Sequence, residues 1–271
     1  MQTDTTTVNF KELRQTNEEL SRKKEALLLA NGYPANYLSP IYECPDCNDT
    51  GMINNQRCHC FKQAVVDLLY AQSNISSIIQ KENFDTFSFG YYNNTIIDPQ
   101  LKLTSRQNMM RIYDICKAFV QNFDKEFQNL LFYGNSGLGK TFLSHCIAKE
   151  LLGTAHTVLY LTAYELFNIL GKELHEEDKK QNASSEHILN CDLLIIDDLG
   201  TELTTAFTMS RLSVCINERF LNRRSTIIST NFGIPELSTH YGERNCSRIF
   251  SSYSLLRFFG EDIRLKKKVK A

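Results

Sequence analysis

The sequence predicts an α/β fold with a central parallel sheet flanked by helices, and three observations carry that expectation. From about Phe84 onward, short apolar runs alternate with amphipathic segments. A glycine-rich motif, Gly134-Asn-Ser-Gly-Leu-Gly139-Lys140-Thr141, lies between an apolar run and a helical pattern. A further run, LLIIDD, ends on two carboxylates.

The elements follow in order. NLLFYG (129–134) reads as a strand, and Lys140 to Leu152 as a helix with Leu143, Ile147 and Leu151 on one face. TVLYLT (157–162) is the next strand, followed by a helix from about Tyr164 to Leu174 and a polar stretch, KELHEEDKKQNASS. DLLIIDD (192–198), a helix at about 208–222, STIISTN (225–231) and a helix from near Pro235 complete the pattern, with no internal repeat. Upstream, Leu13, Leu20 and Leu27 recur at a seven-residue step between Phe10 and Ala30, predicting a helix that Gly32 and Pro34 stop. That face either packs on its own domain or docks on a partner. Residues 41–60 are rich in Cys, Gly, Asn and Asp, and a helix is expected from Phe61 to about Ile79. The expected division is therefore a small N-terminal helical and metal-binding module over 1–83 and a nucleotide-binding domain over 84–271.

Composition sets the class. A chain of 271 residues holds one or two domains of roughly 150 residues. With 42% hydrophobic and 23% charged residues, 12 Gly and 5 Pro, it is neither disordered nor fibrous. Lys plus Arg number 30 against 31 Asp plus Glu, so any affinity for nucleic acid must come from a local patch. No apolar run approaches the roughly 18 residues of a membrane helix, and MQTDTTTVNFKELR lacks the layout of a signal peptide. A cytoplasmic protein with no membrane partner is expected. The closing LKKKVKA reads as a solvated tail, or else a weak phosphate-backbone contact.

The motif G-x-x-x-x-G-K-[ST] points to nucleotide phosphates, because its glycines let backbone N–H groups and a helix N-terminus face the anion. The nucleotide-binding set is Gly134, Asn135, Ser136, Gly137, Leu138, Gly139, Lys140, Thr141 and Phe142. Lys140 reaches the β- and γ-phosphates, while the Thr141 hydroxyl and Asp197 are the magnesium-side groups. Asp198 is the carboxylate for orienting the attacking water, and Asn231 is a candidate to place an amide near the γ-phosphate, the alternative being an ordinary turn residue after a strand. Arg248 and Arg264 are candidates to stabilise transition-state charge; the alternative is ordinary surface ion pairing. Cys44, Cys47, Cys58 and Cys60 form C-x2-C and C-x-C pairs ten residues apart, suited to structural zinc. An iron–sulfur cluster and free thiols are the alternatives, and His59 is a possible replacement for one cysteine. Cys116, Cys146, Cys191, Cys215 and Cys246 read as core residues.

Together GNSGLGKT, LLIIDDLG, STIISTN, SRIF and GEDIR resemble the AAA+ ATPase domain of DnaC/DnaI-type helicase loaders and their IstB-like relatives, over roughly 84–264. YECPDCNDTG…CHCFK looks like the zinc module preceding that domain in some loaders. The resemblance implies a lidless AAA+ fold, ATP and ADP as ligands, and slow, switch-like hydrolysis. It implies that Asn231 is sensor 1, that Arg248 is an arginine finger acting on the next subunit, and that Arg264 occupies a sensor 2-like place. It further implies a DnaB-type hexameric replicative helicase as partner, self-assembly into a spiral or ring, and single-stranded DNA bound by the loop after Walker B through Thr204, Thr205 and Phe207. This loop departs from the expectation in carrying no Lys or Arg between Asp198 and Arg211. The alternatives are an IstB-like transposition helper, against which the zinc module argues, a small-molecule kinase, whose basic lid is missing from the acidic 171–186 stretch, and an interaction module with an inactive nucleotide site.

Overall fold

The computed structural model describes residues 10–70, 78–154, 156–172 and 182–265. The chain divides into two compact units between Thr50 and Gly51.

In the first unit, helix α1 (Phe10–Ala30) ends where the sequence places its stop. Gly32 takes a positive φ of 79°, its N–H reaches Leu29 O, and Tyr33 N–H reaches Leu28 O, the paired bonds of a Schellman cap. Leu13, Leu20 and Leu27 are all at least half exposed. Further on, Asp49 accepts the backbone N–H groups of Glu43 and Cys44 at 3.1 and 2.8 Å, folding the chain around the first cysteine pair.

The second unit opens with a hairpin of β1 (Met52–Ile53) and β2 (Gln56–Arg57). Its two turn residues, Asn54 and Asn55, both have positive φ, as a type I′ turn requires. Helix α2 (His59–Tyr70) follows; the expected continuation to Ile79 falls partly outside the described residues. The Gln63 side chain donates to Val158 O at 3.2 Å and accepts Val158 N–H at 2.9 Å, which seats α2 on the edge of the sheet.

That sheet has five parallel strands: β3 (Leu130–Tyr133), β4 (Val158–Thr162), β5 (Leu193–Leu199), β6 (Ser225–Thr230) and β7 (Ser254–Arg257). Their spatial order is β4-β5-β6-β3-β7, and every pair is parallel. The helices are α3 (Ser105–Gln121), α4 (Lys140–Leu152), α5 (Ala163–Lys172), α6 (Asn182–Asn190), α7 (Ala206–Leu221), α8 (Ile234–Tyr241) and α9 (Glu243–Ser252). Alternate strand residues point to opposite faces. Leu193 and Ile195 therefore join α3 and α4 in one core, and Leu194 and Ile196 join α5 to α9 in the other. Arg219, fully buried, is satisfied by the carbonyls of Ile188 (2.6 Å), Cys191 (3.1 Å) and Ser225 (2.6 Å) and by Thr226 Oγ1 (3.0 Å), tying α7 to the start of β6.

The strands and helices expected from the sequence are present within two residues or so, but α3, α6, α9 and β7 were not expected. The segment 173–181, most of the polar stretch, and 266–271 in the basic tail lie outside the described residues. No described helix is long and apolar enough to cross a membrane.

Candidate functional site

The parallel register brings the C-terminal ends of β3, β5 and β6 side by side, with Tyr133 beside Thr230 and Leu199 beside Thr230. Ligands of parallel α/β sheets bind at that edge. The glycine-rich loop leaves β3 and enters α4, whose N-cap, Gly139, has φ 94°. A side chain there would collide with the Tyr92 hydroxyl, and one at Gly137 would collide with the Asp262 carboxylate. Both positions have positive φ, 74° at Gly137 and 94° at Gly139, which favours glycine, and a side chain at either would have to displace the end of its neighbour.

Lys140 folds back over the loop, its Nζ donating to Gly134 O (2.6 Å), Asn135 O (2.8 Å) and Asn231 Oδ1 (2.8 Å). Burial pulls its pKa down to about 8, against the opposing pull of Asp198 and Asp197. On β5 the pairing register shifts between Ile196 and Leu199, and Asp198 sits there with φ 54°, unusual for a residue other than glycine. The irregularity turns the two carboxylates to different tasks. Asp197 is buried and receives hydroxyls from Thr141 (3.1 Å), Tyr160 and Ser229. Asp198 faces the cavity, 3.4 Å from Asn231 Nδ2, and burial beside Asp197 raises its pKa while Lys140 opposes the rise. Burial and the Asp197 carboxylate push the Tyr160 hydroxyl far above its ordinary range, so it stays a proton donor.

Lys140, Thr141, Asp198 and Asn231 open on a cavity of about 480 Å³, a size suited to a small-molecule ligand. The loop from Ser136 to Phe142 lines it together with Asp198, Asn231 and Arg264; Phe87, Tyr91, Tyr92 and Ile263 add apolar surface, and Lys81, Glu82, Thr86 and Ser88 add polar groups. Arg264 donates to Ser136 Oγ at 2.6 Å and pairs with Asp262 at 3.2 Å, and this pairing holds the Asp262 carboxyl below its ordinary range. The Ile263 N–H bonds Gly137 O at 2.9 Å, fastening the C-terminal segment to the loop. Arg248 is elsewhere: exposed on α9, it lies over the Phe220 ring at 5.4 Å and bonds Asn217. In the loop after β5, the Thr205 hydroxyl accepts Thr208 N–H as the N-cap of α7, and the Arg211 guanidinium lies over the Phe207 ring at 5.3 Å.

The sulfurs of Cys44, Cys47, Cys58 and Cys60 lie within 4.8 Å of one another. Zinc bound tetrahedrally at about 2.3 Å holds its sulfurs about 3.8 Å apart, so the four residues fit that ion. His59 groups instead with Cys44 and Asp46. The remaining five cysteines are buried, as expected of core residues.

The family described as "IstB-like ATP binding protein" matches residues 106–271. The chain belongs to this family. Among curated relatives, the Replicative helicase loader DnaC of Escherichia coli (strain K12) is 24% identical over 156 residues, 58% of this chain and 64% of that protein. The IstB-like chain thus spans less than two thirds of that relative's length. Two solved structures share its fold: the DnaC helicase loader, with a TM-score of 0.56 at 24% identity, covering 67% of this chain and 99% of that one, and DnaI, with a TM-score of 0.51 at 20% identity, covering 68% and 94%.

In this IstB-like ATP-binding chain the structure brings together Lys140, Thr141, Asp197, Asp198, Asn231 and Arg264, and leaves Arg248 outside its own chain's cavity. Sequence reasoning missed Tyr160, Ser229 and Asp262, which hold or flank functional side chains. It also missed the wall formed by Phe87, Tyr91 and Tyr92, for which the aromatic run FDTFSFGYY was the available signal.

Proposed function

We propose that the protein is an ATP-dependent loader that binds a DnaB-type replicative helicase and delivers it onto single-stranded DNA. ATP binding and hydrolysis would act as a slow switch between assembly and release. The reading is carried by one observation: in a chain of an ATP-binding family, Lys140, Thr141, Asp198 and Asn231 line one cavity, Asp197 holds the Thr141 hydroxyl, and the Phe87, Tyr91 and Tyr92 rings on the same cavity suit a base. Likeness to the DnaC loader turns that ATP site toward replication.

In this reading Lys140 and the loop from Gly134 to Phe142 bind the triphosphate. Thr141 and Asp197 would hold Mg2+, whose charge neutralises the phosphates. Asp198 and Asn231 orient the attacking water, and Arg264, already against the loop at Ser136, senses the nucleotide. Arg248 serves the neighbouring subunit of a spiral or ring, supported by its exposure and its absence from its own chain's cavity. Residues 1–83, with the zinc cluster and the exposed leucines of α1, form the helicase-binding part, and 84–271 the ATPase part. Single-stranded DNA meets the loop after Walker B, where Phe207 offers a ring for stacking and Arg211 supplies the charge that the loop itself lacks; Thr204 and Thr205 precede Phe207 in the chain by three and two residues, and Thr205 also caps α7. Such a protein acts in the cytoplasm.

Affinity capture of the tagged chain from its native cell with ATP and magnesium, followed by the mass of the complex, tests the reading. A hexameric helicase in the complex is expected. A second reading, a transposition helper, is favoured by the family's IstB description; recovery of a transposase without helicase would decide for it.

A further inference from the structure

Asp197 is gripped by more than the nucleotide loop. Ser229 on β6 donates to its Oδ1, Tyr160 on β4 donates to its Oδ2, and Thr141 on α4 lies 3.4 and 3.1 Å from the two oxygens. Only Thr141 belongs to the loop, and neither Tyr160 nor Ser229 lines the nucleotide cavity. A carboxylate offers about four lone-pair sites. Tyr160 and Ser229 occupy one on each oxygen, so both oxygens keep acceptor capacity toward Thr141. Ser229 Oγ also accepts Asp198 N–H at 3.0 Å, so one buried hydroxyl fixes the Asp197 side chain and the left-handed backbone of Asp198 together. The Tyr160 ring is braced in turn: it lies 5.1 Å from the His145 ring, and His145 Nδ1 is 2.6 Å from Glu82 Oε2 on the cavity wall.

We propose that Tyr160 and Ser229 are positioning residues that hold Asp197 ready for the cation, so that the Mg2+ affinity of the site depends on them far more than its affinity for metal-free nucleotide. The physical reason is preorganisation: a carboxylate already held by two hydroxyls loses little freedom when a cation arrives, whereas a freely rotating one must be ordered at that moment. The inference rests on the ATP reading of the site.

The test uses the full chain carrying Tyr160→Phe or Ser229→Ala, each of which removes a single oxygen. Binding of a fluorescent ATP analogue is measured in chelator and then through a Mg2+ titration. Expected are metal-free affinities within about twofold of the unaltered chain, with the half-maximal Mg2+ concentration raised about tenfold or more, as for other residues that orient a metal ligand. Unchanged Mg2+ titrations in both variants would overturn the proposal. So would equal losses with and without metal, which would mean simple loss of packing. Should one variant fail to fold, the other carries the test alone. Failure of the unaltered chain to bind the analogue would overturn the ATP reading and the positioning role with it.

Discussion

Lys140 shows how a single side chain links the folded structure to binding. Its ammonium donates to two loop carbonyls and the Asn231 amide oxygen, and burial lowers its pKa to about 8. A lysine with a lowered pKa becomes neutral as pH rises through that value, and only the charged form attracts phosphate. ATP affinity should therefore be about tenfold weaker at pH 9 than at pH 7, a decrease that calorimetry across this range can measure. Lys140→Ala should abolish nucleotide binding at any pH; unchanged affinity would refute the loop's assignment. The residues of the loop were legible in the sequence because phosphate binding demands fixed spacing along the chain. Tyr160, Ser229 and the aromatic wall were not, because their roles come from sheet register and packing, which bring distant stretches together. The exposed Arg248 illustrates the converse: its motif was visible, and its own chain gives it no place at the cavity.

Among the elements, those with strong apolar runs were readable, and those defined by their partners were not. Strand β7 is four residues, SLLR, with no periodicity of its own, and it exists through its pairing with β3. Helix α3 carries a clearer signal in its N-terminal residues. Thr104 and Gln107 form a capping box, with Thr104 Oγ1 accepting Gln107 N–H at 3.2 Å and Gln107 Oε1 accepting Thr104 N–H at 2.9 Å. Behind the cap, Met109, Ile112, Cys116 and Phe119 enter the core, while Ser105 and Asn108 bond the carbonyls of Phe259 (2.9 Å) and Arg257 (2.7 Å). The helix thereby supports the segment that carries Arg264 to the loop. Thr104→Ala should cost about 1 kcal/mol in chemical denaturation.

For the whole molecule, the finger role proposed for Arg248, which is absent from its own chain's cavity, requires a second copy. Arg248→Ala should leave ATP binding by the isolated chain unchanged and lower hydrolysis in the assembled state by about a thousandfold, the scale of other arginine fingers. If hydrolysis per subunit survives assembly, the role is refuted. The nine cysteines carry a further consequence. The five in the nucleotide-binding core are buried, and burial pushes the thiols of Cys116, Cys146 and Cys215 upward, the last to about 12. Alkylating reagents should therefore ignore that group while the chain is folded, and a metal held by the other four would shield them as well. Counting labelled sulfurs by mass then serves as an occupancy gauge: close to zero in the metal-loaded protein, four after chelation and nine after denaturation.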